Sequence, residues 1–477
     1  MNKSKISIMF LTVAVIAALV VMPTFAAATT KSLSTVFAVQ NLSTTTAATV
    51  HVDYRFAKND GGGTWTNVSA ASKDFTVAAG AAANIAQYLD ATMTSGRGSA
   101  TISSDQPIAA IVNQLARNQV ATSGSYSGID AGSASSYAPL VFKGLNGINS
   151  TLTIMNTGGA PTDFNIVYIS GTTFQPVFTA TVSALAAGES YYADQSLEAG
   201  LSSGFFGSAV VNATTGGGTL AVVGNQFIGA NALLTYNGFK STDGYTSWAV
   251  PFYACRLANG FSAPITVQNV GGASIPVGGI QIAFKPDPSL SAATFTLSNP
   301  AVVANNASFI ENLRTDTNCP AGSFGSAIVT APSNVVVVVN QIQSGTDQAL
   351  SYNGVRTDST DKTSLSPTVF SRLSNGFSTA ITVQNLNLAA SATVTVTYTP
   401  NAACSGCLTY NKVLSVPAGG SVIQNHRLPE GASTHPLPAT WFGSARIVSD
   451  QPIAGVVNQL AVGAGDLSLS FNAVSQP

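Results

Sequence analysis

The chain has 477 residues, 45% hydrophobic and only 8% charged, with a formal net charge of -1 and three histidines. So few cations exclude a nucleic-acid surface, which needs Lys and Arg against phosphates, and give no basic patch for anionic lipid. The regular recurrence of Val, Ile, Leu and Phe excludes a disordered chain, so Thr, Ser, Asn, Gln and Gly must cover the surface.

Residues 1–28 read as a secretory signal peptide. Lys3 and Lys5 precede the apolar run Ile6–Met22, and Pro23 leads to the small-residue site Ala26-Ala27-Ala28. An uncleaved anchor is the alternative, since about 17 apolar residues sit at the lower limit for a membrane span. With the leader removed no span is expected, and the protein is placed outside the cell or on its surface. Val335–Val339 is too short to span and reads as a buried strand.

Four domain-sized repeats follow, at 31–130, 137–240, 245–357 and 363–475. Each has Val-Gln-Asn or a variant (39–41, 154–156, 267–269, 383–385), then Gly-Ser-Ala, then Asn-Gln. The glycines Gly98, Gly207, Gly325 and Gly443 recur at intervals of 109, 118 and 118 residues. Between these landmarks the pattern alternates with period two, as in Ala392–Tyr398, and is broken by Gly, Pro and Asn, which marks short strands and hairpins. No 3.6-residue stripe persists. The expected fold is all-β, a tandem series of two-sheet β-sandwiches.

The landmarks invite structural roles. Gly98, Gly207, Gly325 and Gly443 allow a strand to start close to a loop or the opposite sheet. The preceding Phe206, Phe324 and Phe442 (Arg97 in the first repeat) are expected to anchor the end of the core. Asn113, Asn225, Asn340 and Asn458, each followed by Gln, sit in apolar strands. Alternation points one amide inward or to an edge and the other outward, with the buried one bonded to loop backbone; a surface amide ladder for glycans is the functional alternative. The repeats end in related segments such as Leu469-Ser470-Phe471-Asn472, weakest in the first at Gly124–Gly128. Short linkers near 129–136, 239–246 and 355–366 predict a semi-rigid row.

Catalytic and ligand chemistry is sparse. Cys255 and Cys319 are placed to pair within the third repeat, closing a loop worth about 4 kcal/mol on the chain-entropy model. Cys404 and Cys407 form a local staple, or a redox or metal pair, in a hairpin tip. His51 alternates outward. His426 and His435 face one another near Glu430 without a recognisable catalytic motif. Gly61–Gly63 and Gly216–Gly218 lack the lysine of a phosphate loop and read as hairpin tips. Asp194, Asp243, Asp358 and Asp361 lack calcium-loop spacing, although carboxylates at a junction between repeats offer a second route to calcium. Among Trp65, Trp248, Trp441 and Tyr191-Tyr192, Trp65 is the best candidate for sugar stacking, and the other tryptophans suit core or junction packing. Asn41, Asn67, Asn149, Asn212 and Asn306 stand in glycosylation contexts.

This organisation resembles, over residues 31–477, the tandem immunoglobulin-like domains of bacterial cell-surface and secreted proteins. The resemblance implies a non-enzymatic structural or adhesive protein of a sheath, layer or filament, without cofactor, whose partners are itself, other surface proteins or glycans. A carbohydrate-binding array is the alternative. An enzyme is not expected, because repeated units tend to repeat their catalytic residues and these do not.

Overall fold

The computed structural model describes residues 33–59, 72–93, 96–116, 122–229, 232–344, 348–430, 435–461 and 467–476. The leader, Trp65, Gly61–Gly63 and Asn67 lie outside the described residues. Ser32–Pro477 is one compact unit. Its described residues form antiparallel sheets with two single-turn 3-10 segments, Gln87–Leu89 and Pro288–Leu290.

The fourth repeat shows the plan most fully. One sheet has the order Tyr410–Val416, Ala392–Pro400, Trp441–Ser449, Thr363–Ser371, Val474–Gln476. The other has the order Ser421–Asn425, Ser378–Asn385, Ile453–Leu460, Ser468–Asn472. Val394, Val396 and Tyr398 of the first meet Ile381, Val383 and Val457 of the second in a common core. That core follows from the period-two pattern, which puts every second side chain on one face.

The second and third repeats keep this order but join their two sheets. In the second, the opening strand Ser135–Leu145 turns directly into Ile148–Asn156 and pairs with it. In the third, the 20-residue strand Phe324–Gln343 serves both sheets; its Val335–Val339 segment is fully buried, as the sequence predicts. The first repeat has Lys73–Val77, Ala48–Phe56 and Gly98–Ser104 in one sheet and Ala82–Ala86, Leu33–Asn41, Ile108–Ala116 and Ser123–Ser127 in the other.

The Asn of Val-Gln-Asn has one function in all four repeats. Asn41 donates through Nδ2 to Thr46 O at 2.7 Å and Val77 O at 3.1 Å, and its Oδ1 accepts from Ser43 N. Asn156, Asn269 and Asn385 repeat this set on Ala160 and Leu185, on Ala273 and Val303, and on Ala390 and Val416. A buried amide thus ends the strand and ties two turns together, satisfying backbone groups that the sheets leave open.

The glycines of Gly-Ser-Ala are required by their own sheet. A Cβ at Gly98, Gly207, Gly325 or Gly443 would lie 1.9–2.2 Å from the carbonyl oxygen of Arg55, Ile169, Lys285 or Thr399 on the adjoining strand. The expectation for the preceding phenylalanines is corrected: Phe206, Phe324 and Phe442 are partly exposed. In the fourth repeat the core residue is Trp441, fully buried, whose indole N–H donates to Leu408 O.

The expected row is also corrected, because the repeats close into a ring. Closing strands Ser123–Ser127, Ala232–Asn237, Ala349–Asn353 and Ser468–Asn472 meet side by side around a common axis, the last packed on the first. The opening strands of repeats two, three and four each lie against the following repeat, the fourth against the first. The short linkers are strand-like: Phe239–Lys240 and Val355–Arg356 pair back onto opening strands.

Unit one supplies the closure through a serine ladder. Ser123, Ser125 and Ser127 alternate along one face and donate to Ser468 O, Ser470 O and Asn472 O at 2.9, 2.8 and 3.3 Å. Gly124 stands between them because a Cβ there would lie 2.4 Å from Thr235 Oγ1. The weak match of this segment to the other closing strands therefore reflects its place at the seam. Ser125→Ala with Ser127→Ala removes two of these bonds, for an expected loss of about 2 kcal/mol and an increase in radius of gyration on mild heating; urea unfolding and small-angle scattering measure both.

Candidate functional site

The Asn-Gln doublets are where sequence reasoning placed a loop contact, and the structure corrects their partner. Both amides are buried in each repeat; Gln226 Nε2 and Gln459 Nε2 donate to backbone carbonyls of their own repeats, Leu140 O and Thr368 O, at 3.0 and 3.1 Å, as expected, while three of the four junctions carry amide bonds from one repeat to the next. Gln114 Nε2 donates to Asn225 Oδ1 at 3.1 Å and Asn225 Nδ2 returns a bond to Gln114 Oε1 at 3.2 Å. Gln341 and Asn458 form the same reciprocal pair at 3.3 and 3.0 Å. Asn340 Nδ2 donates to Gln226 Oε1 at 2.9 Å. Asn225, Asn340 and Asn458 also accept from Thr235, Ser351 and Ser470 on their own closing strands. At the fourth junction Gln459 donates instead to Thr368, and Asn113 Oδ1 and Gln459 Oε1 are buried without a partner. There the serine ladder takes over.

Gly-Ser-Ala contributes its serine to the same purpose. Ser99, Ser208 and Ser326 donate to Gly188 O, Asn306 O and Gly419 O of the following repeat at 2.8, 2.6 and 3.1 Å. The three repeated words therefore hold turns, sheets and junctions together.

A cup of about 580 Å³ opens at one end of the axis and is lined from all four repeats. Its floor is a cyclic set of bonds. Asn237 clamps the backbone of Ser127, donating to its O at 2.7 Å and accepting from its N–H at 3.2 Å. Asn472 clamps Asn353 likewise at 2.5 and 2.9 Å, and Asn353 donates to Asn237 O at 2.7 Å. The wall concentrates charge: Asp130, Lys240, Asp243, Arg356, Asp358 and Asp361 are six of twenty lining residues, in a chain with 8% charged residues. Lys240 pairs with Asp130 at 3.1 Å and Arg356 with Asp358 at 2.6 Å. Asp243 accepts from Lys240 N–H at 2.7 Å, and burial raises its pKa above the usual carboxylate value against that bond. Three of the four aspartates considered for calcium are thus brought to one cup; Asp194 is elsewhere, capped by Ser196. Among the described residues no three His, Cys, Asp or Glu stand together as a metal would need. Trp248 lines the cup with its indole N–H bonded to Val335 O at 2.7 Å, packed edge-on against Phe239.

The other sequence candidates are structural in their contacts. Cys255 is joined to Cys319, and Cys404 to Cys407 in the tip between two strands. Arg256, next to the first disulfide, donates to the carbonyls of Leu313, Asp316 and Cys319. The Glu311 carboxyl, beside Asp316, has its pKa pushed up to about 7 by burial and by Asp316. His51 is on the solvent side beside Asp74, at 2.7 Å, and Asp53; the Asp74 hydrogen bond raises its pKa. His426 and His435 do meet, with ring centroids 4.6 Å apart, each ring set among local polar groups. His426 Nδ1–H donates to Thr379 O at 3.0 Å, and Nε2 stands 3.0 Å from the Tyr398 hydroxyl, whose proton goes to Gln424 Oε1 at 2.5 Å. His435 Nδ1 accepts from Leu437 N–H, and Nε2–H donates to Leu428 O.

Comparison of the repeats explains His426. In the first and second repeats Gln87 and Gln195 occupy its place and donate to Tyr54 and Tyr168 hydroxyls at 3.1 and 3.0 Å. In the third the pair is Phe284 and Leu313, both buried and apolar. Polar partners occur together or not at all, as the cost of an unpaired buried hydroxyl requires. His426 is the histidine version of a core glutamine. No protein-family model matches this chain, and no curated protein matches it.

Proposed function

We propose that this chain is a secreted or surface-exposed structural and adhesive protein, non-enzymatic, built from four immunoglobulin-like two-sheet units. The observation that supports this most is the use of the repeated residues. Val-Gln-Asn, Gly-Ser-Ala and Asn-Gln, the parts common to the repeats, bind backbone and neighbouring repeats. What differs among repeats lies in their tips and in the cup. A closed ring with a low-charge surface is a rigid building block, and its exposed strand edges and tips are the places for contact with other copies or surface proteins. The disulfides suit an oxidising environment.

The charged, amide-floored cup supports a second reading, an extracellular carbohydrate-binding protein, because carboxylates and amides suit polar hydroxylated ligands. The two separate in one set of measurements. The secreted protein, examined by light scattering and electron microscopy, is expected to form layers or filaments of ring-sized units and to give no saturable signal on glycan arrays. Monomers at every concentration refute the structural reading. Saturable glycan binding without assembly, lost in Trp65→Ala or Asp361→Asn, establishes the second.

A further inference from the structure

The Cys-Ser-Gly-Cys tip of the fourth repeat carries a sulfur bridge that its turn does not need. The tip joins Ala392–Pro400 to Tyr410–Val416. The third repeat makes the same connection without cysteine, with Asp287 in the place of Asn401. Asp287 N–H donates to Phe324 O and Asn401 N–H to Phe442 O, each just before the glycine of Gly-Ser-Ala. The Asp287 side chain accepts from Ser289 N–H at 2.9 Å, and Leu290 N–H donates to Asp287 O at 3.0 Å. Asn401 does the same with Ala403 N–H at 2.9 Å and Cys404 N–H at 2.8 Å. One turn is thus formed with the bridge and without it. The bridge also spans only three positions, where Cys255–Cys319 spans 64, so it removes much less entropy from the unfolded chain.

Access separates the two bridges as well. Cys255 and Cys319 are fully buried, and Arg256 holds the Cys319 carbonyl. At the tip, Cys407 is partly exposed between exposed Gly406 and Leu408, whereas Cys404 is buried. Thr440 O stands 3.9 Å from Cys404 Sγ, where it can accept the proton of a thiol. The tip is also coupled to its surroundings. Leu408 O accepts from the indole N–H of buried Trp441 at 3.0 Å. Asn401 Nδ2 donates to Ala82 O of the first repeat at 3.2 Å, which places the tip at the seam of the ring.

We propose that Cys404–Cys407 is a thiol–disulfide exchange site for an external thiol. The thiolate attacks Cys407 Sγ, the accessible sulfur, and forms a mixed disulfide with it. The Cys404–Cys407 bond breaks in the same step. Cys404 leaves as a thiolate, takes a proton from solvent and directs its S–H to Thr440 O. A second external thiolate then attacks the first attacker's sulfur, forming the external disulfide and releasing Cys407, which is protonated in turn. Two external thiols are oxidised and the bridge is reduced by the same two electrons. The reverse sequence closes the bridge again. The bonds of Asn401 keep the turn in shape throughout, so the two sulfurs stay poised to rejoin. The proposal does not depend on whether the ring assembles into layers.

The test treats the mature secreted protein with reduced glutathione, traps thiols by alkylation and locates them by mass spectrometry. Cys404 and Cys407 are expected to be labelled at least about tenfold faster than Cys255 and Cys319. The trapped glutathione adduct is expected on Cys407, and oxidised glutathione is expected to restore the bridge. Trp441 emission is expected to follow both directions through the Leu408 bond. Two variants separate the sulfurs. Oxidised glutathione is expected to modify Cys407 in Cys404→Ser about tenfold faster than Cys404 in Cys407→Ser. Equal rates for the two bridges of the parent overturn the proposal. An adduct on Cys404, or a bridge that does not re-form with oxidised glutathione, overturns it as well.

Discussion

Gly207→Ala is expected to cost the protein about 3 kcal/mol or more, at the upper end of overpacking substitutions. The added methyl would lie 1.9 Å from Ile169 O. That oxygen belongs to the facing strand, where Ile169 is paired with Ser208 and Ser170 with Gly207, so relief requires the ladder itself to part. The neighbour provides the internal control. Ser208→Ala loses one bond to Asn306 O and is expected to cost about 1 kcal/mol, weakening the contact between repeats two and three without disturbing the sheet. Urea unfolding of both variants checks the ordering; similar losses for the two would mean that the glycine is not sterically required.

Acid is expected to destabilise the fourth repeat through His426. Burial, then the nearby His435 and Arg372, lowers its pKa to about 3 from a reference of 6.5, and only the bond to Thr379 O opposes this. His435 is shifted downward too, mainly by burial. The unfolded chain takes up a proton as pH falls through 6.5, while the folded chain resists until about 3. Between these values the unfolded state binds more protons, so stability is lost as pH falls. Each histidine contributes a slope approaching about 1.4 kcal/mol per pH unit within its window. His426→Gln installs the residue that the first and second repeats use against the same tyrosine, and an amide does not titrate. Unfolding at pH 7 and pH 4.5 is expected to differ by about 2 kcal/mol less in the variant than in the parent. An unchanged difference would show that His426 is protonated in the folded state.

The strands were legible because their physics is local: alternation shows which side chains share a face, and Gly, Pro and Asn mark where each strand stops. The requirement for glycine in Gly-Ser-Ala was legible too, though the near surface was the adjoining strand rather than a loop. The phenylalanine assignment failed by one residue. In the fourth repeat Trp441 takes the inward position and Phe442 turns outward, and a shift of one residue exchanges the faces of a strand. The partners of Asn-Gln were not legible, because periodicity within a repeat says that an amide is buried but not which body lies beyond it. Ser123, Ser125 and Ser127 looked like a degraded copy for the same reason. The role of His426 left a readable trace in the parallel changes Tyr54 with Gln87, Tyr168 with Gln195, Phe284 with Leu313 and Tyr398 with His426. Comparing repeats as pairs of positions, rather than as words, would have found it. The cup depends on ring closure and had no signal beyond scattered aspartates.

Closure also determines how the molecule bears load. An open array has two terminal units, each with one bare flank that needs a cap, whereas here every unit is flanked on both sides. The first and last units adjoin, so a pull applied at the two chain ends reaches the serine ladder before any other junction. That contact is made by hydroxyls on carbonyls where other junctions use paired amides, so under such a pull it is expected to part before them.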